Sequence, residues 1–299
     1  MQKRKLGRTD LWVTPLGFGG AELGFQAHDG QAAIAKLLNQ ALDAGLNVID
    51  TASAYKASEA LIGNAVSTRR KEFYLFTKCG ATDGFTRKDW TRKGITEQLD
   101  SSLKLLKTDY LDILQLHSCD SETLRQGECI RALEDARSAG KTRYIGYSGD
   151  GEHARYALDL DVFDTLQTSI SIADQQPIRL TLPLANQKQV GVIAKRPSAN
   201  VAWRTGKMPE DSYHHTYFER LQALAYPFLS EPLEQAALHA LHFTLGQMAV
   251  SVAIVGTTKP GRFEQNLRAL ADTGLTDAQL QAIRDRWLAV ADASWVGQV

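Results

Sequence analysis

Four side chains that can exchange protons each follow an apolar run. Asp50 and Tyr55 stand in "NVIDTASAY", Lys78 ends "EFYLFTK" and His117 ends "YLDILQLH". Such groups are costly in apolar surroundings unless they pair, and an acid, a phenol, an amine and an imidazole can pair. A free tyrosine has a pKa near ~10. A cation about 4 Å away, at an effective dielectric near ~20, attracts a phenolate by roughly 4 kcal/mol before desolvation is counted. Lys78 is therefore expected to bring Tyr55 toward a useful general acid, with Asp50 holding the amine charged and oriented. His117 is expected to steer a carbonyl oxygen toward the phenol. No side chain delivers hydride to the carbonyl carbon, so this chemistry implies a nicotinamide cofactor.

For these groups to meet, the runs that carry them must be neighbouring strands about 4.8 Å apart. Eight β-rich runs are predicted: 16–18, 47–52, 72–78, 110–117, 144–149, 164–169, 189–197 and 251–258. Helical periods separate most of them, at 31–44, 58–66, 96–106, 122–140, 152–159, 232–245, 262–271 and 277–291. In 31–44, Ile34, Leu37, Leu38, Ala41 and Leu42 fall on one stripe, and Gly45 follows as a stop. Strands alternating with helices argue for βαβ units. Eight units with no linker predict an α/β (β/α)8 TIM barrel spanning residues 1–299 as one domain. A Rossmann-type fold is disfavoured, because "GFGGAELG" has Glu22 where the third glycine of a phosphate loop belongs. Residues 3–13 alternate weakly, as in an N-terminal hairpin capping the barrel floor. Residues 198–230 read as one long irregular loop after strand seven, rich in Trp203, Tyr213, Tyr217, Phe218 and Tyr226. In such a barrel the active site lies at the C-terminal ends of the strands, where Asp50, Lys78 and His117 fall.

Lysines plus arginines and aspartates plus glutamates number 34 each, which gives no electrostatic reason to expect nucleic acid or an anionic membrane. No apolar run is long enough for a membrane span, and the N-terminus has no secretory pattern. Three cysteines without CxxC spacing fit a reducing cytoplasm better than a disulfide framework. The expected partner is a small carbonyl compound, and the sequence assigns no oligomeric state.

From "LGRTDLWVTPLGFGG" to "AIVGTTKPGRFEQNLRAL" the chain resembles the aldo-keto reductase superfamily, barrel enzymes that reduce aldehydes and ketones with NADPH. The resemblance implies catalytic roles for Asp50, Tyr55, Lys78 and His117, in agreement with the chemistry above. It implies that Ser148 and Gln167 hydrogen-bond the nicotinamide carboxamide. It further implies that Thr257, Thr258, Lys259, Arg262, Gln265 and Asn266 hold the adenosine and its 2′-phosphate. Pro260 and Gly261 precede a predicted helix whose free N–H groups favour an anion, and Lys259 with Arg262 adds charge suited to phosphate. NADPH is thus the expected cofactor.

The sequence departs from the family at Gly149, where Asn is usual. It departs again at Lys195, where many members carry an aromatic that stacks on the nicotinamide. Lys195 and Arg196 are expected instead to serve the pyrophosphate. Two other activities fit parts of the pattern: a nicotinamide-binding redox sensor without turnover, and a Schiff-base aldolase using Lys78 or Lys195. Cys79 and Cys119 are expected to face away from the site, and His214-His215 lacks the further ligands of a metal centre.

Overall fold

The computed structural model describes residues 2–259, 261–270 and 274–298. Eight parallel strands close into a barrel in chain order. They are β1 (Leu16–Gly19), β2 (Val48–Asp50), β3 (Tyr74–Cys79), β4 (Leu111–His117), β5 (Thr142–Ser148), β6 (Thr165–Ser169), β7 (Gly191–Lys195) and β8 (Val250–Gly256). β8 returns to β1 with Ala253 opposite Leu16, so no edge is left open. Every strand run read from the sequence is present, shorter or longer by a few residues.

The interior is graded from floor to mouth by strand alternation, which turns residues i and i+2 to the same side. Val48, Phe76, Ile113, Ile193, Val252 and Ile254 form an apolar lower core. Two positions further on, Val48 gives way to Asp50, Phe76 to Lys78 and Ile193 to Lys195; four beyond Ile113 comes His117. The hairpin Arg4–Lys5 with Trp12–Val13 closes the floor, and Leu6, Leu11 and Val13 insert into the same lower core. A larger apolar layer lies between the strands and the outer helices. Helix Gln31–Asp43 buries the expected stripe, and Gly45 ends it with φ of 92°.

Several stretches differ from expectation, among them a short helix Ala21–Phe25 and a hairpin pairing Ala81–Thr82 with Arg87–Lys88. The run 122–140 is two helices, Ser121–Gln126 and Glu128–Ser138, because Gly127 adopts a left-handed conformation between them. Helices Gln176–Leu180 and Leu182–Gln187, which connect β6 to β7, were not anticipated. They are short, and a proline in the first turn of each resembles a breaker although that position tolerates it. Residues 198–230 are not one irregular loop: they include helix His215–Leu224 and three 3-10 turns. Their aromatics build a second core, in which Trp203, Tyr217 and Tyr226 pack with Phe243 and Trp287. No helix among the described residues is long and apolar enough to cross a membrane.

Leu11 is fully buried under the barrel, where surrounding strands cannot collapse into a void. Leu11→Ala is expected to lower unfolding free energy by about 2–5 kcal/mol in urea titrations.

Candidate active site

Lys78 and Asp50 form an ion pair inside the barrel. Lys78 Nζ donates to Asp50 Oδ2 at 2.6 Å and to the Thr51 carbonyl at 2.9 Å, with both side chains almost wholly buried. Gln167 Nε2 donates to the same Asp50 oxygen at 3.2 Å, and Gln115 Nε2 donates to Gln167 Oε1 at 3.1 Å. Gln115 enters the barrel because Gly146 faces it. A Cβ on that glycine would stand 2.2 Å from Thr165 Oγ1 and 3.0 Å from Gln115 Cγ. The sequence reading missed Gln115, although alternation with His117 along "ILQLH" places both on the inner face.

Tyr55 lies in the turn that follows β2. The Lys78 ammonium sits 5.2 Å from its ring centroid, and the His117 ring meets it edge-on at 5.6 Å and 78°. The four predicted residues therefore converge at the mouth. Among the described residues, however, the Tyr55 hydroxyl makes no hydrogen bond to Lys78 or His117. Burial raises the phenol's pKa well above its usual range, Asp50 reinforces that shift, and Arg196 opposes it. The expected downward pull from Lys78 is thus outweighed: the ammonium is committed to Asp50, and desolvation dominates. Burial also lowers the pKa of Lys78, against the attraction of Asp50. His117 falls well below its ordinary value through burial and then through the nearby Lys78, Lys195 and Arg196, so its imidazole stays neutral.

Two aromatic residues that the sequence reading did not single out frame the mouth. Phe85 stands 4.9 Å from the His117 ring and 6.2 Å from Tyr55, and Phe25 stands 5.9 Å from Tyr55. Phe25 follows β1 and Phe85 follows β3, in connections whose proximity no local pattern announces.

Around the rest of the mouth, Lys195 Nζ lies 2.8 Å from Asp150 Oδ2. Asp150 Oδ1 also accepts from Thr168 Oγ1 at 2.8 Å and from the Ser169 amide at 2.7 Å. Arg196, in a left-handed conformation with φ of 55°, turns its guanidinium onto Ser169 Oγ at 2.8 Å, the Gln298 carbonyl at 2.7 Å and the Tyr213 hydroxyl at 2.5 Å. His214 and His215 bond to Asn200 and to the Pro209 carbonyl. Cys79 and Cys119 are buried in the layer between strands and helices.

A nicotinamide group fits the polar atoms left over here. Ser148 Oγ and His117 Nδ1 are buried without hydrogen-bond partners, and the two residues are directly paired across β4 and β5. Gln167, expected to share that duty with Ser148, has its amide engaged by Asp50 and Gln115. The segment expected to take the adenosine end follows β8. Thr257 Oγ1 accepts from the Lys259 amide at 3.0 Å, and Thr258 lies between them. Pro260 is outside the described residues. Helix Arg262–Ala269 begins next, and it carries Arg262, Gln265 and Asn266.

A model of the "Aldo/keto reductase family" matches residues 15–287. The chain belongs to the aldo/keto reductase family. Similar aldo/keto reductases and oxidoreductases match it along nearly all of its length. An uncharacterized oxidoreductase of Bacillus subtilis is 29% identical, over 95% of this chain and 96% of its own. An NADH-specific methylglyoxal reductase of Escherichia coli is 27% identical, over 95% of this chain and 98% of its own. Among solved structures, the holo form of an aldo-keto reductase from Bacillus halodurans aligns with TM-score 0.84 and 27% identity, covering 99% of both chains.

In this aldo/keto reductase a second buried acid stands behind Lys78. Glu59 Oε1 accepts from Thr77 Oγ1 at 2.6 Å. Burial pushes the Glu59 carboxyl up to about 7, against the hydroxyls of Thr77 and Ser102 and the charge of Lys78. The folded chain therefore keeps a proton that the unfolded chain releases between pH of about 4.5 and about 7, so stability falls as pH rises through that window. Asp174, pushed up to about 6, contributes with the same sign. In urea unfolding, Glu59→Gln is expected to match the parent near pH 4.5 and to exceed it at pH 8.

Proposed function

We propose that this chain reduces an aldehyde or ketone to an alcohol with NADPH. The observation that carries this reading is the convergence of Tyr55, the Lys78–Asp50 pair and neutral His117 at the mouth of one barrel. A reduced nicotinamide supplies hydride when bound. The side chains of this protein hold the carbonyl and manage the proton. Neutral His117 offers an N–H to the carbonyl oxygen, which brings that oxygen toward the Tyr55 hydroxyl. The high pKa of the phenol does not prevent its use as an acid: the alkoxide developing on the substrate is the stronger base, so the proton passes downhill. Lys78, held by Asp50, adds positive charge beside the oxygen that gives up the proton. Ser148 Oγ, buried without a partner, is assigned to the carboxamide, with Gln167 held beside it by Asp50 and Gln115, and Lys195 and Arg196 are assigned to the pyrophosphate.

The preference for NADPH over NADH rests on Lys259 and Arg262 beside the start of helix Arg262–Ala269, where two cations suit a 2′-phosphate once Arg262 turns from Glu234, 3.5 Å away. The E. coli relative, named NADH-specific, makes this a point of divergence to be measured. The Schiff-base alternative is disfavoured, since Lys78 and Lys195 are each held against a carboxylate, at 2.6 Å and 2.8 Å, which directs neither nitrogen at a substrate carbonyl.

Tyr55→Phe is expected to lower turnover by roughly 10²–10⁴ while leaving NADPH binding intact. A panel of aldehydes monitored by NADPH oxidation checks this; a parent protein that binds NADPH yet oxidises it with none of them is the redox sensor instead. The double variant Lys259→Ala/Arg262→Ala is expected to raise KM for NADPH by about 10–100-fold and to leave KM for NADH nearly unchanged.

A further inference from the structure

The segment Trp295–Gln298 crosses the mouth at the ends of β5, β6 and β7. Its Gly297 lies so close to the strand ends that a Cβ there would stand 2.5 Å from Asp150 Oδ1 and 2.7 Å from Ser169 Cβ. The Val296 carbonyl accepts from Arg220 Nη2 at 2.8 Å, and the Gln298 carbonyl accepts from Arg196 Nη1 at 2.7 Å. Trp295 anchors the near end: its ring lies 5.3 Å from the Arg220 guanidinium and meets Trp287 edge-on at 5.2 Å. Arg220 is itself fixed by Asp174 Oδ1 at 2.6 Å.

The positions beneath this strap matter. Asp150 lies two residues beyond Ser148, Ser169 two beyond Gln167, and Arg196 directly follows Lys195. These are the strand ends that a nicotinamide cofactor must reach under the function proposed above. Charge distinguishes one of them. Lys78, Lys195 and Arg220 each have a carboxylate, whereas among the described residues Arg196 forms no ion pair. Its recorded acceptors are two hydroxyls and the Gln298 carbonyl, all neutral. A phosphate oxygen in place of that carbonyl forms a charge-assisted bond roughly twice as strong. A guanidinium suits such an exchange because its donors are already arranged in a fork.

We propose that the strap Trp295–Gln298 gates the cofactor groove: the Gln298 carbonyl occupies Arg196 in the free protein and yields it to an anionic group of the entering dinucleotide. Entry then waits on opening of the strap. The inference rests on the nicotinamide-dependent reading, and one experiment separates the two.

Stopped-flow mixing of the full chain with NADPH, followed by nucleotide fluorescence, should give an observed rate that saturates with NADPH concentration at the opening rate. Gly297→Ala inserts a Cβ against Asp150 and Ser169, so the strap cannot seat. That variant is expected to raise the plateau by about tenfold or to make the dependence linear. Trp295→Ala should act the same way from the anchored end, and thermal melts establish that both variants fold. A linear dependence in the parent, with association rates in both folded variants within about twofold of it, overturns the gate while leaving cofactor binding in place. A parent that binds neither NADPH nor NADH refutes the nicotinamide reading and the gate together.

Discussion

A single buried ion pair organises this protein. Lys78 and Asp50 sit on adjacent strands inside a closed barrel, where removing two charges from water is costly unless geometry and further hydrogen bonds compensate. Compensation is supplied from several directions: the Thr51 carbonyl, the Gln167 amide, and Gln115 behind Gln167. Gln115 in turn needs the room left by Gly146. A demand that begins with one ammonium therefore reaches β2, β3, β4, β5 and β6. The charges of the barrel interior are gathered above the apolar lower core, where they can satisfy one another.

The same burial that strengthens the pair sets the character of its neighbours. Tyr55 is held as a neutral phenol and His117 as a neutral imidazole, both by desolvation first and by specific charges second. A site built this way keeps its proton donor loaded over a wide pH range. Release then depends on a base generated in the reaction and not on the bulk solution. This differs from the simpler picture of a phenol acidified by a neighbouring cation, because desolvation of the buried phenol outweighs the pull of an ammonium already bound to a carboxylate.

Around the mouth the motif recurs. Asp150 with Lys195, and Asp174 with Arg220, are buried acid–base pairs like Asp50 with Lys78. They tie the strand ends to the segment 198–230 and to the C-terminal strap. That segment is ordered because its aromatics have a core of their own with the last helix, which is the work expected of Trp203, Tyr217 and Tyr226 once they are placed.

Local pattern determined much of this. Period-two runs separated by period-3.6 runs specified eight strands, most of their helices and the end of the barrel at which chemistry collects. Asp50, Tyr55, Lys78 and His117 were legible because each stands at, or just beyond, a strand end whose position is a short-range property. Tertiary structure alone decided the rest. Phe25 and Phe85 meet at Tyr55 only because β1, β2 and β3 pair side by side and bring their following connections together. Gln115 and Gln167 turn inward to serve Asp50, and Arg196 turns onto a carbonyl 102 positions away. The direction of the Tyr55 shift was likewise beyond the sequence, for desolvation is a sum over every group packed around the phenol, and no stretch of chain contains that sum.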